Sequence, residues 1–175
     1  MDLFDKMRAV KAFVFDVDGV MTDSRVHVWE NGDQTRTMNT RDGFALKRAI
    51  LKGYRVAVIT GGKSKGVTSR LNGLGVLDVY SGIADKLIAL EDFRKRYDVS
   101  YDQIMYMGDD LIDASVMKRV GLPAAPRDAV PAILNISSFV SSLDGGDGCV
   151  REIIEKIMIL QGTWDWEVGN EQPGI

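Results

Sequence analysis

One cysteine, one histidine and no long apolar run set the first limits on this 175-residue chain. A lone Cys149 excludes an intramolecular disulfide framework and suits a reducing compartment, so a cytoplasmic protein is expected. The apolar runs are too short to span a bilayer, and the first residues lack the apolar stretch of a secretion signal. Basic residues gather in no stripe. With a net charge of −3 and both signs interspersed, neither nucleic acid nor a membrane surface is an expected partner. No linker, repeat or low-complexity segment interrupts the chain. His27 lies outside every motif described below and reads as a surface residue, while Cys149 reads as a small buried hydrophobe.

What is present is enough for one domain with a substantial core, because 45% of the residues are hydrophobic. Short apolar runs at 12–15, 55–59 and 104–107 read as buried strands, and 79–81 as a shorter one. Helical spacing predicts helices over 42–52, 64–72, 84–97, 113–120 and 150–160, with an amphipathic lead-in over 1–11. Residues 122–125 and 139–140 are weaker edge strands. The Asn31-Gly32 pair predicts a β-hairpin within 25–38. Strand and helix alternate, which predicts an α/β fold: a Rossmann-like three-layer sandwich around a mostly parallel sheet. Between the first two core strands there is room for the hairpin and one helix, and for no cap domain.

The chemistry collects where strands end. Asp16-Val17-Asp18-Gly19, Thr60-Gly61-Gly62, Asp85-Lys86 and Gly108-Asp109-Asp110 with Asp113 read as strand termini, which converge on one crevice in an open α/β sheet. Of two carboxylates at 16 and 18, one can attack phosphorus and the other can carry the proton of the leaving oxygen. Mg²⁺ prefers oxygen and takes one or two protein carboxylates, so Asp16 and Asp109 are the candidate ligands. Asp110 and Asp113 are expected behind them, with Asp113 either capping the next helix or orienting Asp110. Thr60 and the amides around Gly61 suit phosphate oxygens at a helix start. Lys86 suits phosphate charge and the attacking carboxylate. For each, a bland reading stands beside the chemical one: an acidic turn, a helix cap, a solvated lysine.

In this order the four motifs resemble the haloacid dehalogenase superfamily of phosphatases, in its capless subgroup typified by the 3-deoxy-D-manno-octulosonate 8-phosphate phosphatases. The resemblance runs from about residue 12 to 162. It implies Asp16 as nucleophile, Asp18 as general acid and base, Thr60 and Lys86 as phosphate-site residues, and Mg²⁺ held by Asp16, the Asp18 carbonyl and Asp109. Residues Asn39, Thr40, Arg41, Asp42 and Gly43 resemble the family's substrate loop, Arg70 a basic substrate position, and Gly145-Gly146-Asp147-Gly148 its C-terminal signature. Two positions depart from the pattern: Gly62 stands where many members carry arginine, and Lys47 often has an arginine counterpart. The resemblance implies a small anionic sugar-acid phosphate as substrate, with Arg41, Lys47, Lys63 and Arg70 the candidates for its carboxylate. A nonulosonate 9-phosphate, a catalytically silent sugar-phosphate-binding scaffold, and a nucleotide or protein phosphatase are the other readings. It also implies a homotetramer in which the C-terminal tail, 161–175, closes a neighbour's site. Exposed tryptophans at 29, 164 and 166 would fit that assembly.

Overall fold

The computed structural model describes residues 2–166. Helix α1 (Leu3–Ala9) leads into strand β1 (Ala12–Phe15), and the hairpin strands β2 (His27–Val28) and β3 (Gln34–Thr35) follow. Next come α2 (Thr40–Leu51), β4 (Arg55–Thr60), α3 (Lys65–Gly73), β5 (Asp78–Ser81) and α4 (Lys86–Tyr97). The second half runs β6 (Ile104–Met107), α5 (Ala114–Met117), β7 (Leu122–Ala125), α6 (Pro131–Leu134), β8 (Phe139–Val140) and α7 (Cys149–Leu160).

The sheet has six strands in the order β5-β4-β1-β6-β7-β8, and every neighbouring pair is parallel. Four consecutive buried residues make β1, with Phe13 and Phe15 in one apolar layer and Ala12 and Val14 in the other. That division follows from the two-residue period of a strand covered on both faces. Val56, Val58, Met105 and Met107 join the layer packed by α2 and α7, while Ala57, Ile59, Ile104 and Tyr106 join the layer packed by α4 and α5. From β1 the chain moves first to one side and later to the other, so the switch in strand order falls at β1. Phe15 pairs with Val58 on one side and Met107 on the other, which brings Asp16, Thr60 and Gly108 to the same edge.

Most predicted elements appear within a residue or two, and the differences have local causes. Helix α2 begins at Thr40 because the Asn39 side chain accepts the Arg41 N–H as N-cap. The helix predicted over 113–120 is instead a 3₁₀ turn, Leu111–Asp113, and the four-residue α5. The chain must turn early there, since Gly121 donates to the Tyr101 carbonyl at 2.7 Å. A Cβ on Gly121 would lie 2.5 Å from the Asp102 carbonyl oxygen. Short helix α6 lies in a stretch for which no element was predicted.

The expectation that Trp164 is exposed is corrected. Trp164 is 8% exposed, beneath the Arg151 guanidinium at 4.6 Å and edge-on to Phe44. Residues 161–165 pack back on their own chain: Tyr54 shares hydrogen bonds with Gln161 and Thr163, and Asp165 pairs with Arg48 and Lys52. Trp29 and Trp166 are exposed as expected. The rest of the predicted tail, 167–175, lies outside the described residues. No helix among the described residues is long and apolar enough to cross a membrane. Cys149 is fully buried, its Sγ donating to the Val20 carbonyl, and burial pushes its thiol far up.

Candidate active site

Three buried charges form the centre. Lys86, the first residue of α4, sends its ammonium beneath the sheet edge to Asp16 Oδ2 at 2.7 Å and Asp113 Oδ1 at 2.8 Å. Asp85 caps the helix by accepting the Leu87 N–H, which sets the direction in which Lys86 leaves the backbone. None of the three side chains is more than 4% exposed.

Asp113 does not cap α5, as one sequence reading allowed; its side chain turns inward. Oδ1 accepts from Lys86 and from the Tyr106 hydroxyl at 2.5 Å, while Oδ2 accepts the N–H groups of Asp109 and Asp110 at 3.1 and 3.3 Å. With both oxygens so engaged, Asp113 orients the others. Although it is near enough to join a metal cluster, the carboxylates better placed for ligation are Asp16 and Asp109. Gly108 permits this arrangement, because a Cβ there would meet the Asp113 side chain at 2.4 Å. Asp110 remains exposed and caps the turn through the Leu111 N–H.

Burial, then the Asp113 charge, raise Asp16 to about 6 against the opposing pull of Lys86. Burial, then Asp113, Asp16 and Asp110, raise Asp109 to about 7. The carboxylates of Asp16, Asp109 and Asp113 each offer an oxygen within 4.8 Å of the others. No side-chain hydrogen bond to the Asp109 carboxylate occurs among the described residues. An all-oxygen donor set with mutually repelling carboxylates fits a hard divalent cation such as Mg²⁺. Gly19 makes room for the Asp109 carboxylate: φ is +86°, and a Cβ there would sit 2.0 Å from Asp109 Oδ2.

Thr60 closes β4 at the same edge, 5% exposed, its Oγ1 accepting the Gly62 N–H at 3.1 Å. The hydroxyl proton is unused among the described residues, and Gly61 next to it is exposed. Asp18 is 38% exposed at the mouth. Sequence reasoning placed Asp16, Asp18, Thr60, Lys86 and Asp109 in one crevice, and the fold brings them together.

The proposed substrate loop divides. Thr40 and Arg70 line an open groove of about 960 Å³ with Lys63, Ser64 and the hairpin residues Gln34, Thr35 and Arg36. Arg41 lines an adjoining groove with Thr40, Phe44, Arg151, Trp164 and Trp166, and Lys47 lies half-buried along α2. Asp42 is 3% exposed and accepts the Arg151 N–H, and Asn39 donates to the Gly146 carbonyl. Gly43 is buried beside the Arg70 guanidinium, where a Cβ would come within 2.9 Å. Asn39, Asp42 and Gly43 are thus held by contacts within the chain itself. The Gly145–Gly148 signature also braces: Gly146 N–H donates to the Val20 carbonyl, behind the Asp16–Gly19 turn.

Two residues escaped the sequence reading. Tyr106 reads from sequence only as part of the buried 104–107 strand, but a hydroxyl within an otherwise apolar strand requires a partner, and that partner is Asp113. Arg36 follows β3 and grips Asp18 through two bonds, from Nε at 2.5 Å and Nη2 at 3.1 Å. Nothing in its local sequence signals that reach.

Residues 65–153 match the haloacid dehalogenase-like hydrolase family. Over 164 residues the chain is 36% identical to the 3-deoxy-D-manno-octulosonate 8-phosphate phosphatase KdsC of Escherichia coli, covering 94% of this chain and 87% of that protein. The crystal structure of the Yersinia pestis phosphatase of that name superposes with a TM-score of 0.90 at 35% identity, covering 93% of this chain and 88% of that one. The Moraxella catarrhalis phosphatase, solved with magnesium, phosphate and KDO, gives 0.88 at 30% identity over 91% of each chain. The chain belongs to the haloacid dehalogenase-like hydrolase family, and within it stands with the 3-deoxy-D-manno-octulosonate 8-phosphate phosphatases.

Proposed function

We propose that this chain is a Mg²⁺-dependent phosphomonoesterase that converts 3-deoxy-D-manno-octulosonate 8-phosphate to the free sugar acid and inorganic phosphate. The observation that carries the reading is the Asp16–Lys86–Asp113 chain, with the Asp109 carboxylate facing Asp16 across the strand ends. The named relatives supply the substrate. Asp16, Asp109 and the Asp18 carbonyl would hold Mg²⁺, which would supply charge neutralisation for the phosphoryl group.

The Asp16 carboxylate attacks phosphorus, and the phosphorus–oxygen bond to the sugar breaks as Asp18 gives its proton to the leaving oxygen. Asp18 then takes a proton from water, whose oxygen attacks the aspartyl-phosphate and releases phosphate and free Asp16. Lys86 holds Asp16 in the attacking orientation. The Thr60 hydroxyl and the Gly61 region donate to phosphoryl oxygens, and Asp110 and Asp113 keep the Asp109 turn in place. Arg70, with Lys63, meets the sugar carboxylate in the hairpin groove; Arg41 lines the groove adjoining it at Thr40, and Lys47 lines neither.

A cytoplasmic homotetramer completes the proposal. Val28 and Trp29 on the hairpin are 67% and 59% exposed, apolar surface suited to burial against another copy. In such an assembly the segment beyond 166 closes a neighbouring site.

Phosphate release from an octulosonate 8-phosphate, a nonulosonate 9-phosphate, hexose phosphates and a nucleotide, with and without Mg²⁺, tests the reading. A Mg²⁺-dependent preference for the octulosonate is expected, and the Asp16→Asn variant should be folded and inactive. Preference for the nonulosonate would move the substrate and keep the chemistry. Failure of every ester would leave a sugar-phosphate-binding scaffold. Light scattering of the full chain and of a chain ending at Trp166 checks the assembly: a tetramer with unchanged kinetics after truncation would remove the tail from the site.

A further inference from the structure

Arg36 enters the site from the hairpin. Its side chain is 7% exposed although the neighbouring hairpin residues are open to solvent, and both guanidinium bonds end on Asp18. A simple tether between hairpin and body is the bland explanation. It accounts poorly for the cost of ordering a long side chain on a carboxylate that is 38% exposed, where an ion pair contributes little stability.

Two further observations concern the space the guanidinium fills. A Cβ added at Gly62 would lie 3.3 Å from Arg36 Nη2, 3.3 Å from Asp18 Oδ2 and 3.5 Å from Thr60 Oγ1. Arg36 therefore borders the volume into which a side chain at position 62 would project, beside the acid and the Thr60 hydroxyl. It also forms part of two walls. On one side is the small pocket with Asp18, Thr60, Gly62 and Ser64, with about 10 Å³ free; on the other is the groove with Thr40, Lys63 and Arg70. The small pocket has room for roughly one water, so nothing larger enters among Asp18, Thr60 and Gly62 while the guanidinium stays on Asp18.

We propose that Arg36 supplies from the hairpin the anion-binding guanidinium that the Thr60–Gly62 loop lacks. It rests on Asp18 when the site is empty and turns to the phosphoryl oxygens when a phosphoester binds. While the fork is closed, both Asp18 oxygens are engaged; opening it exposes them to the leaving oxygen. The planar fork matches a phosphoryl group as well as it matches a carboxylate, so the exchange trades one bidentate partner for another. This proposal rests on the phosphatase reading and adds a substrate-binding residue to it.

The test exchanges the two positions. Four variants, Arg36→Ala, Arg36→Lys, Gly62→Arg and the double variant R36A/G62R, are compared with the wild type. The readouts are kcat and KM for an active phosphomonoester, inorganic phosphate affinity by calorimetry in the presence of Mg²⁺, and Tm. Loss of a charge-assisted contact predicts a fall of about 10- to 100-fold in kcat/KM and a comparable weakening of phosphate binding for Arg36→Ala. Arg36→Lys should recover part of both, because a point charge replaces the fork. Gly62→Arg alone should be impaired by crowding, and R36A/G62R should exceed Arg36→Ala by about tenfold as the guanidinium returns from the other side. Phosphate affinity within twofold of wild type in Arg36→Ala, or a double variant no better than that single variant, would overturn the proposal and reduce Arg36 to a tether. Should no ester be turned over by the wild type while Arg36→Ala still weakens phosphate binding, the phosphatase reading fails and the anion-binding role stands.

Discussion

Lys86 and Asp113 meet at 2.8 Å with both side chains essentially inaccessible, 1% and 0% exposed. The pair is the support on which Asp16 rests, since the same ammonium lies 2.7 Å from Asp16 Oδ2. Replacing Lys86 by Met keeps the bulk and removes the charge, leaving two buried carboxylates without their shared cation. Breaking a buried pair from one side costs about 3–5 kcal/mol. Lys86→Met should lower unfolding free energy in urea by that order and lose turnover. A variant as stable as the wild type would mean that the other donors on Asp113 suffice without the ammonium.

Tyr106 supplies one of those donors, and the contribution is separable. Its hydroxyl donates to Asp113 Oδ1 from a fully buried ring. Tyr106→Phe keeps the ring and deletes that bond, costing about 1.5–3 kcal/mol for a contact to a charged group. The expected result is a lower urea midpoint with catalysis reduced far less than by Lys86→Met. Equal losses of activity in the two variants would show that Asp113 orientation, not the Lys86 charge, limits the reaction.

Asp42 carries a pH dependence that does not involve the reacting groups. Burial raises it to about 6, only partly offset by the Arg151 N–H and charge, and its Oδ2 has no partner. An unfolded aspartate titrates near 3.9, so the folded state binds the proton more tightly. Stability contributed at this position is therefore present at low pH and lost as pH rises from about 4 to 6. Asp16 and Asp109 shift in the same direction, so the wild-type trend alone is ambiguous and the variant isolates the residue. Asp42→Asn should be more stable than wild type at pH 8, by about 1–3 kcal/mol, with the advantage disappearing near pH 4. An Asn variant that tracks the wild type across that range would place the Asp42 charge in contact with water.

How far the sequence carried these conclusions differs between the backbone and the side chains. The Ala12–Phe15 run and its Asp16 and Asp18 turn were readable because a strand buried on both faces leaves an uninterrupted apolar signature, and acids just beyond it need a reason. Lys86 was readable for the same reason, as a cation beside a strand terminus. Partnerships between distant residues were not. Arg36 reaches Asp18 across 18 positions and Lys86 reaches Asp113 across 27. Their local surroundings, a hairpin strand and a helix start, look the same whether the side chain points inward or into water. Asp113 was legible both as a helix cap and as a residue that orients Asp110; the Tyr106 hydroxyl and Lys86 ammonium draw it inward, where its Oδ2 accepts the Asp110 N–H.

Gly19 provides a direct test of the cation's place. Its φ of +86° is unfavourable for any other residue, and its missing Cβ is what lets Asp109 Oδ2 approach. Gly19→Ala would set a methyl 2.0 Å from that oxygen, so the Asp109 carboxylate must swing away. The strained backbone costs on the order of 1–2 kcal/mol, which a domain of ordinary stability survives. The variant should remain folded, need far more Mg²⁺ for half-maximal activity, and bind Mg²⁺ more weakly by calorimetry. A folded Gly19→Ala protein with wild-type Mg²⁺ affinity would remove Asp109 from the metal site, because no arrangement of that side chain tolerates both the methyl and its present position.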